Sequence, residues 1–335
     1  MKKNLLIFTH GGGRLANQMT NHAHLIAFQR EYHESFDVMN LAISAYSSLF
    51  QKMQSKKIQY ISEGSKRLQF FSTIIGLFVA SREVKKKTLF NQIIRFIHTI
   101  FFLLPFSQSI KYGTVPNYLP FLPGKSVSNL DLGKDESILI LKRKNITALA
   151  GWPIRSWKLF EKHQNLIRSS FTISDKYKIN AEKFIAELRQ KYDFLIGVFI
   201  RQDDYRYWAE GKYFFETDQY IDWMRQVEIL FPQKKTGFVI ASNEKQEFEQ
   251  FHSPNIHFST GLVPEKGIFI ESFAELSLCD YIMTPPSTYG VWAAFLGDKP
   301  IIPLYERNQT IVKEDFLKNN LFDSLHHPHM SVSIK

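Results

Sequence analysis

An apolar run from Ile196 to Ile200 gives way abruptly to Arg201, Gln202, Asp203, Asp204 and Tyr205. The run reads as a buried strand. In an open α/β sheet, ligands bind just past the carboxyl ends of strands. A guanidinium there offers a rigid fork of donors shaped for phosphate oxygens. A carboxylate beside it can do acid–base work or hold the arginine in place. The same residues also suit a plain ion pair at a strand end, so their neighbours decide the reading.

Two further places match this chemistry. Pro285-Pro286-Ser287-Thr288-Tyr289-Gly290 lies between a predicted strand and a predicted helix. Ser287 and Thr288 are good helix caps, and the N–H groups of a helix start also attract phosphate. Ser242 and Asn243 end another predicted strand, Gly237 to Ala241. Near the start, a strand (Leu5–Phe8), a glycine turn (Thr9–Gly13) and a helix (Leu15–Arg30) suit either a pocket whose backbone N–H groups receive polar or anionic groups or a tight turn with close helix packing. The G-x-G-x-x-G spacing of a dinucleotide site is absent.

The elements that must position these groups alternate through the second half. Helices are predicted at Asp175–Tyr192, Thr217–Leu230, Glu244–Phe251, Ile268–Leu278 and Ser287–Leu296. Strands are predicted at Leu195–Ile200, Gly237–Ala241, Ile256–Ser259, Tyr281–Met283 and Pro300–Leu304. That βαβ rhythm predicts a parallel, doubly wound sheet with Arg201, Ser242 and Ser287 along one edge. In the first half, Ile138–Leu141 reads as a strand, Tyr112–Gly124 as loop, and Gly151–Trp157 as an aromatic turn into a helix reaching about Arg168. Residues 37–124 carry the weakest pattern. There Ile93, Phe96, Ile97, Ile100, Phe101 and Leu104 share one helical face, preceded by Lys85-Lys86-Lys87. That face suits either a protein core or an anionic membrane surface. The stretch is too interrupted to span a bilayer.

Length and composition bound the rest. A chain of 335 residues with 44% hydrophobic and 22% charged content builds about two domains. The change falls near Phe171–Lys176, giving 1–172 and 173–335. The net charge of +10 favours an anionic partner. One cysteine, Cys279, rules out an internal disulfide framework and fits a reducing, cytoplasmic setting; peripheral contact with an anionic membrane is the alternative reading of the basic run and the Ile93–Leu104 face. The apolar opening stretch is too short for a signal peptide. No H-E-x-x-H, C-x-x-C, G-x-S-x-G or P-loop spacing occurs. His326-His327-Pro328-His329 reads as surface. No zinc-finger or RNA-recognition spacing supports a nucleic-acid partner. Trp152, Trp157, Tyr207 and Trp208 can either pack in the core or stack on a ligand ring.

Four stretches, in order, resemble the α-1,2-fucosyltransferase family (glycosyltransferase family 11-like). Gly12-Gly13-Arg14-Leu15-Ala16-Asn17-Gln18-Met19 is similar to G-G-R-L-G-N-Q-M. Gly151 to Phe160 resembles G-Y-x-Q-S-x-K-Y-F loosely. Phe199 to Tyr205 resembles H-x-R-R-G-D-Y, and Leu278 to Leu296 resembles C-D-x-x-I-x-x-x-S-T-F-x-x-W-A-A-x-L. The resemblance implies a GT-B-like α/β fold, two Rossmann-like domains facing across a cleft. It implies an inverting, metal-independent transfer of L-fucose from GDP-fucose to a hydroxyl of a glycan acceptor, with no other cofactor. The second domain would hold the nucleotide sugar and the first the acceptor. Arg201, Tyr205, Ser242, Asn243, Ser287, Thr288 and Tyr289 would meet the donor. Arg201, Asp204 and Glu210 would carry the chemistry, and Arg14, Asn17, Gln18 and Trp208 would face the acceptor. Phe199, Gln202 and Asp203 replace the family's histidine, second arginine and glycine, with Arg206 and Lys212 as compensating cations. These replacements raise two alternatives: another nucleotide sugar on the same fold, or a binding protein without catalysis.

Overall fold

The computed structural model describes residues 3–54, 59–62, 87–113, 122–127, 130–152, 154–262 and 267–316. The chain divides into two compact units, Met1–Thr172 and Ile173–Lys335.

In the first unit the elements are β1 (Asn4–His10), α1 (Leu15–Glu31), β2 (Phe36–Asn40), β3 (Gln59–Tyr60), α2 (Lys87–Leu103), β4 (Ser107–Gly113), β5 (Lys125–Val127), α3 (Asp135–Lys142), β6 (Ile146–Trp152), α4 (Trp157–Lys162) and α5 (Gln164–Ser170). The sheet order is β3-β2-β1-β6-β4-β5. Every pairing is parallel except that of β2 with β3. Successive residues of β1 face opposite sides. Leu6 and Phe8 pack with Leu25 and Phe28 of α1 and Ile138 and Leu141 of α3. Leu5 and Ile7 pack with Ile97 and Phe101 of α2. A strand covered on both faces has no polar alternation, so β1 and β6 read as unbroken apolar runs. Gly151 in β6 has φ +136, and a Cβ there would run into the Tyr112 carbonyl of β4.

The second unit contains α6 (Asp175–Arg189), β7 (Phe194–Ile200), α7 (Thr217–Leu230), β8 (Thr236–Ser242), β9 (Ile256–Phe258), α8 (Phe269–Leu278), β10 (Tyr281–Thr284), α9 (Thr288–Gly297) and β11 (Ile301–Pro303). Its sheet is β11-β10-β7-β8-β9, parallel throughout. Its core joins Ile196, Val198 and Ile200 to Tyr220, Trp223 and Val227 of α7. Ile200 is level with Ser242 across the ladder, so those two strands end together. Each unit is thus Rossmann-like, an α/β layer with helices over a mainly parallel sheet.

Three expectations need correction. Ile138–Leu141 lies in helix α3, not a strand. Ile138 and Leu141 are buried while Leu139 is 66% exposed, which is helical rather than alternating periodicity. Asp135 and Glu136 in the first turn and Lys142 in the last complement the helix dipole. Glu244–Phe251 forms no α-helix, only a short 3-10 turn at Phe248–Gln250. Glu244 and Gln246 are instead pinned by side-chain bonds to Ser242. On α2, five of the six face residues pack on the core, but Phe96 is 61% exposed. Lys85, Lys86 and the His326–His329 cluster lie outside the described residues. Among those residues, no helix is long and apolar enough to cross a membrane.

Candidate active site

The segment after β7 leaves the sheet through two short 3-10 turns, Asp203–Arg206 and Trp208–Gly211. Arg201 opens it. Its backbone N–H donates to the Tyr220 hydroxyl at 3.2 Å, fixing the strand end to α7. Its guanidinium donates to the Asp204 carboxylate at 2.7 and 2.8 Å and lies 5.0 Å over the Tyr205 ring. The Arg201 side chain is 17% exposed, and its Nε is buried with no hydrogen-bond partner. The Asp204 side chain is 52% exposed.

Asn243 completes the neighbouring strand end. Its Oδ1 accepts from the Gln202 N–H at 2.9 Å, joining the exits of β7 and β8. Its Nδ2 is buried and unpartnered. Buried donors are almost always paired, and an orphan costs roughly 1–3 kcal/mol. Two such donors therefore stand at adjoining strand ends, one on a guanidinium and one on an amide. Among the described residues they are two of seven buried side-chain atoms without a hydrogen-bond partner, and they are the two at these strand ends.

The supporting layer is more extensive than sequence showed. Gln202 is buried; its Nε2 donates to the Phe215 carbonyl at 3.0 Å, and its Oε1 accepts from Gln246 at 3.0 Å. Gln246 also donates to Ser242 at 3.1 Å. Gln202 thus builds the floor of the site rather than supplying a second ligand. Gln246 and Tyr220 gave no sequence signal, since the β7 end that each braces lies 44 and 19 residues away. Arg206 pairs with Glu244 at 3.3 Å and lies 4.5 Å over Phe214, while Lys212 lies 5.4 Å over Tyr213. Neither cation replaces the missing arginine beside Arg201.

Tyr205 is buried, donates to the Pro286 carbonyl and stacks 4.7 Å from Trp208. Burial pushes its hydroxyl well above the ordinary tyrosine range, so it stays a neutral donor. The contact draws the segment after β7 against the loop between β10 and α9. Ser287 caps α9 without using its hydroxyl, and Thr288 opens the helix. Tyr289 donates to the Phe269 carbonyl at 2.6 Å, and its ring stacks on Phe199 at 4.6 Å. Phe199, 2% exposed, is a core residue that anchors α9 to β7. Glu210 is exposed on a left-handed run: Ala209 φ 49, Glu210 φ 58 and Gly211 φ 74. Tyr207 is 84% exposed.

Asp203, in the family's glycine position, has φ +29. Its N–H donates to Glu244 at 2.9 Å. Aspartate tolerates this region better than most residues, whereas a β-branched side chain does not. Asp203→Gly is therefore expected to hold stability within about 1 kcal/mol of wild type, and Asp203→Val to lose about 1–2 kcal/mol. Urea midpoints of both variants check this.

In the first unit, Gln18 donates to the Gly11 and Gly12 carbonyls at 2.6 and 3.0 Å, holding the glycine turn. Arg14 is exposed and Asn17 half-buried on the first turn of α1 or just before it. Arg155 adds an unforeseen cation there. It donates to Asn21 at 3.3 Å and to the Ile154 carbonyl at 2.7 Å, and lies 4.4 Å over Trp152. Its position in the loosely matched second stretch gave the only sequence signal. Among the described residues, no cluster of three or more His, Cys, Asp or Glu could hold a metal.

Comparison with known proteins agrees with this architecture. Galactoside alpha-(1,2)-fucosyltransferase 2 of Pongo pygmaeus is 27% identical over 186 residues, 51% of this chain and 50% of the relative. The chain thus spans about half the length of the curated relatives it matches. A point mutant of FUT1 from Arabidopsis thaliana in complex with GDP superposes with a TM-score of 0.52 at 11% identity, covering 94% of this chain and 73% of that one. The apo form of POFUT1 gives 0.51 at 12% identity, covering 91% and 98%. These likenesses place the fold in the GT-B class. The model of glycosyl transferase family 11 matches residues 141–323, more than half of the chain and including the whole segment from β7 to β11. The chain belongs to glycosyl transferase family 11.

Proposed function

We propose that this chain transfers L-fucose from GDP-fucose to a hydroxyl of a glycan acceptor, with inversion and without a metal. The observation that carries the proposal is the pair of unpartnered buried donors, Arg201 Nε and Asn243 Nδ2, at the ends of β7 and β8. A diphosphate supplies the acceptor oxygens that both lack. As the sugar leaves, negative charge grows on the departing GDP, and Arg201 neutralises it from a fixed position. The start of α9, at Ser287 and Thr288, adds partial positive charge. Asp204, which meets the guanidinium through Nη2 and is half exposed, either takes the acceptor proton or orients Arg201; Glu210 is the second candidate for the base. In this reading the second unit binds the donor. The glycine turn, Arg14, Asn17 and Gln18 of the first unit are the acceptor-side residues in this reading, and Trp208 of the second is a candidate sugar-stacking ring.

A second donor class is favoured by one observation. Phe199 stands where the family has histidine and is sealed in the core against Tyr289, so it offers a base no hydrogen bond. A thermal-shift screen separates the readings. A ligand at about 100 times its Kd stabilises by about 2.7 kcal/mol. GDP-fucose is expected to raise Tm by a few degrees while UDP- and dTDP-sugars leave it unchanged. A shift with a UDP- or dTDP-sugar alone replaces the donor, and binding without nucleotide release on adding acceptors removes catalysis.

A further inference from the structure

Three exposed apolar side chains gather where α2 turns into β4: Phe102 (57% exposed), Leu103 (71%) and Phe106 (46%). Phe96, two turns before Leu103 on the same outer stripe, extends the patch along the helix. The turn lies at the edge where the first unit's strands begin, opposite the glycine-turn edge. Two contacts tie it to the residues before β6. The Asn145 N–H donates to the Phe106 carbonyl at 2.9 Å, and Lys144 Nζ donates to the Pro105 carbonyl at 2.7 Å. Lys142, Arg143 and Lys144 are all exposed beside the patch. Exposed Lys3 precedes β1, whose Leu5 N–H reaches the Asn145 carbonyl at 2.9 Å. On the same edge, exposed Glu34 offsets one charge, and Glu31 is taken by Lys162 and His163.

We propose that this edge seats the protein on an anionic phospholipid surface. Phenylalanine and leucine enter the boundary between headgroups and acyl chains, and the flanking cations meet lipid phosphates. A second copy of the chain is a poorer occupant, because a two-fold contact would bring Lys142, Arg143 and Lys144 towards their own images. Of the face that the sequence left open between core and membrane, Ile93, Ile97, Ile100, Phe101 and Leu104 pack on the core and Phe96 is exposed. The outward residues of the same helix carry the inference, and it does not depend on which donor the second unit binds.

Co-sedimentation with vesicles of phosphatidylglycerol and phosphatidylcholine, against phosphatidylcholine alone, tests it. Wild type is expected to bind the anionic vesicles at least tenfold more tightly. Phe102→Ser/Leu103→Ser/Phe106→Ser is expected to lose tenfold or more with Tm unchanged. Arg143→Glu/Lys144→Glu, on exposed residues, is expected to lose a comparable factor, since each basic residue near such a surface contributes about fivefold. Equal binding to both vesicle types overturns the proposal. So does retained binding in the charge-reversal variant, or a dimer in sedimentation velocity that the serine variant abolishes.

Discussion

Arg201→Ala is expected to lower kcat/KM for fucosyl transfer by about 10³-fold or more, the scale of removing a donor from a developing negative charge in a water-poor site. The loss should fall mainly on kcat, because the interaction strengthens as the diphosphate departs. Arg201→Lys keeps the charge but loses the planar set of donors, of which one nitrogen, Nη2, meets both Asp204 oxygens at 2.7 and 2.8 Å. It is expected to recover only a small part of the rate. Asp204→Asn serves as the companion variant. If Asp204 acts as base, the variant retains donor affinity and loses turnover; if it only orients Arg201, both fall together. Steady-state release of GDP in the presence of a glycan acceptor reads all three.

The second large effect concerns a group outside the site. Glu275 of α8 is fully buried and accepts from the Thr260 N–H at 3.1 Å and from the Thr260 hydroxyl. Burial raises its carboxyl from 4.5 to about 7, against the lowering effect of those bonds, with Glu271 one turn earlier adding to the rise. The folded state thus prefers the protonated acid. Its stabilising contribution is complete below pH 4.5 and is lost as pH rises through 7. The displacement from 4.5 to about 7 corresponds to about 3 kcal/mol. Wild type should therefore melt at lower temperature at pH 8 than near pH 5 through this group. Glu275→Gln, which keeps an acceptor for Thr260, should raise the pH 8 melting temperature and flatten the dependence. A Glu275→Gln protein less stable than wild type at pH 8 would show that the ionised carboxylate is the preferred partner of Thr260.

The legible parts of this chain are those where local pattern and tertiary role coincide. The strand at Phe194–Ile200, the helix at Thr217–Leu230 and the glycine turn before α1 are each written in a few consecutive residues. Arg201 is conspicuous because a strand that cannot tolerate charge ends in one. The misread parts share a cause. Ile138–Leu141 is four apolar residues in a row, and so short a run fits either period; the acidic residues before it and Lys142 after it held the answer. Glu244–Phe251 has helix-forming residues, but its side chains are spent on bracing Ser242 and Asp203, which only the folded chain shows. Gln202 looks like a lost phosphate ligand in sequence, yet it is the buried link between β7, β8 and Phe215. Phe199 likewise looks like a lost base contact and is a ring packed on Tyr289.

The most direct test is calorimetric titration of GDP into wild type and Arg201→Ala, both shown to be folded by their melting curves. A diphosphate held by that guanidinium predicts micromolar-to-millimolar binding in wild type that weakens at least tenfold in the variant. Equal affinity in the two proteins would mean that the nucleotide sits elsewhere, and the strand end of β7 would lose its assigned role.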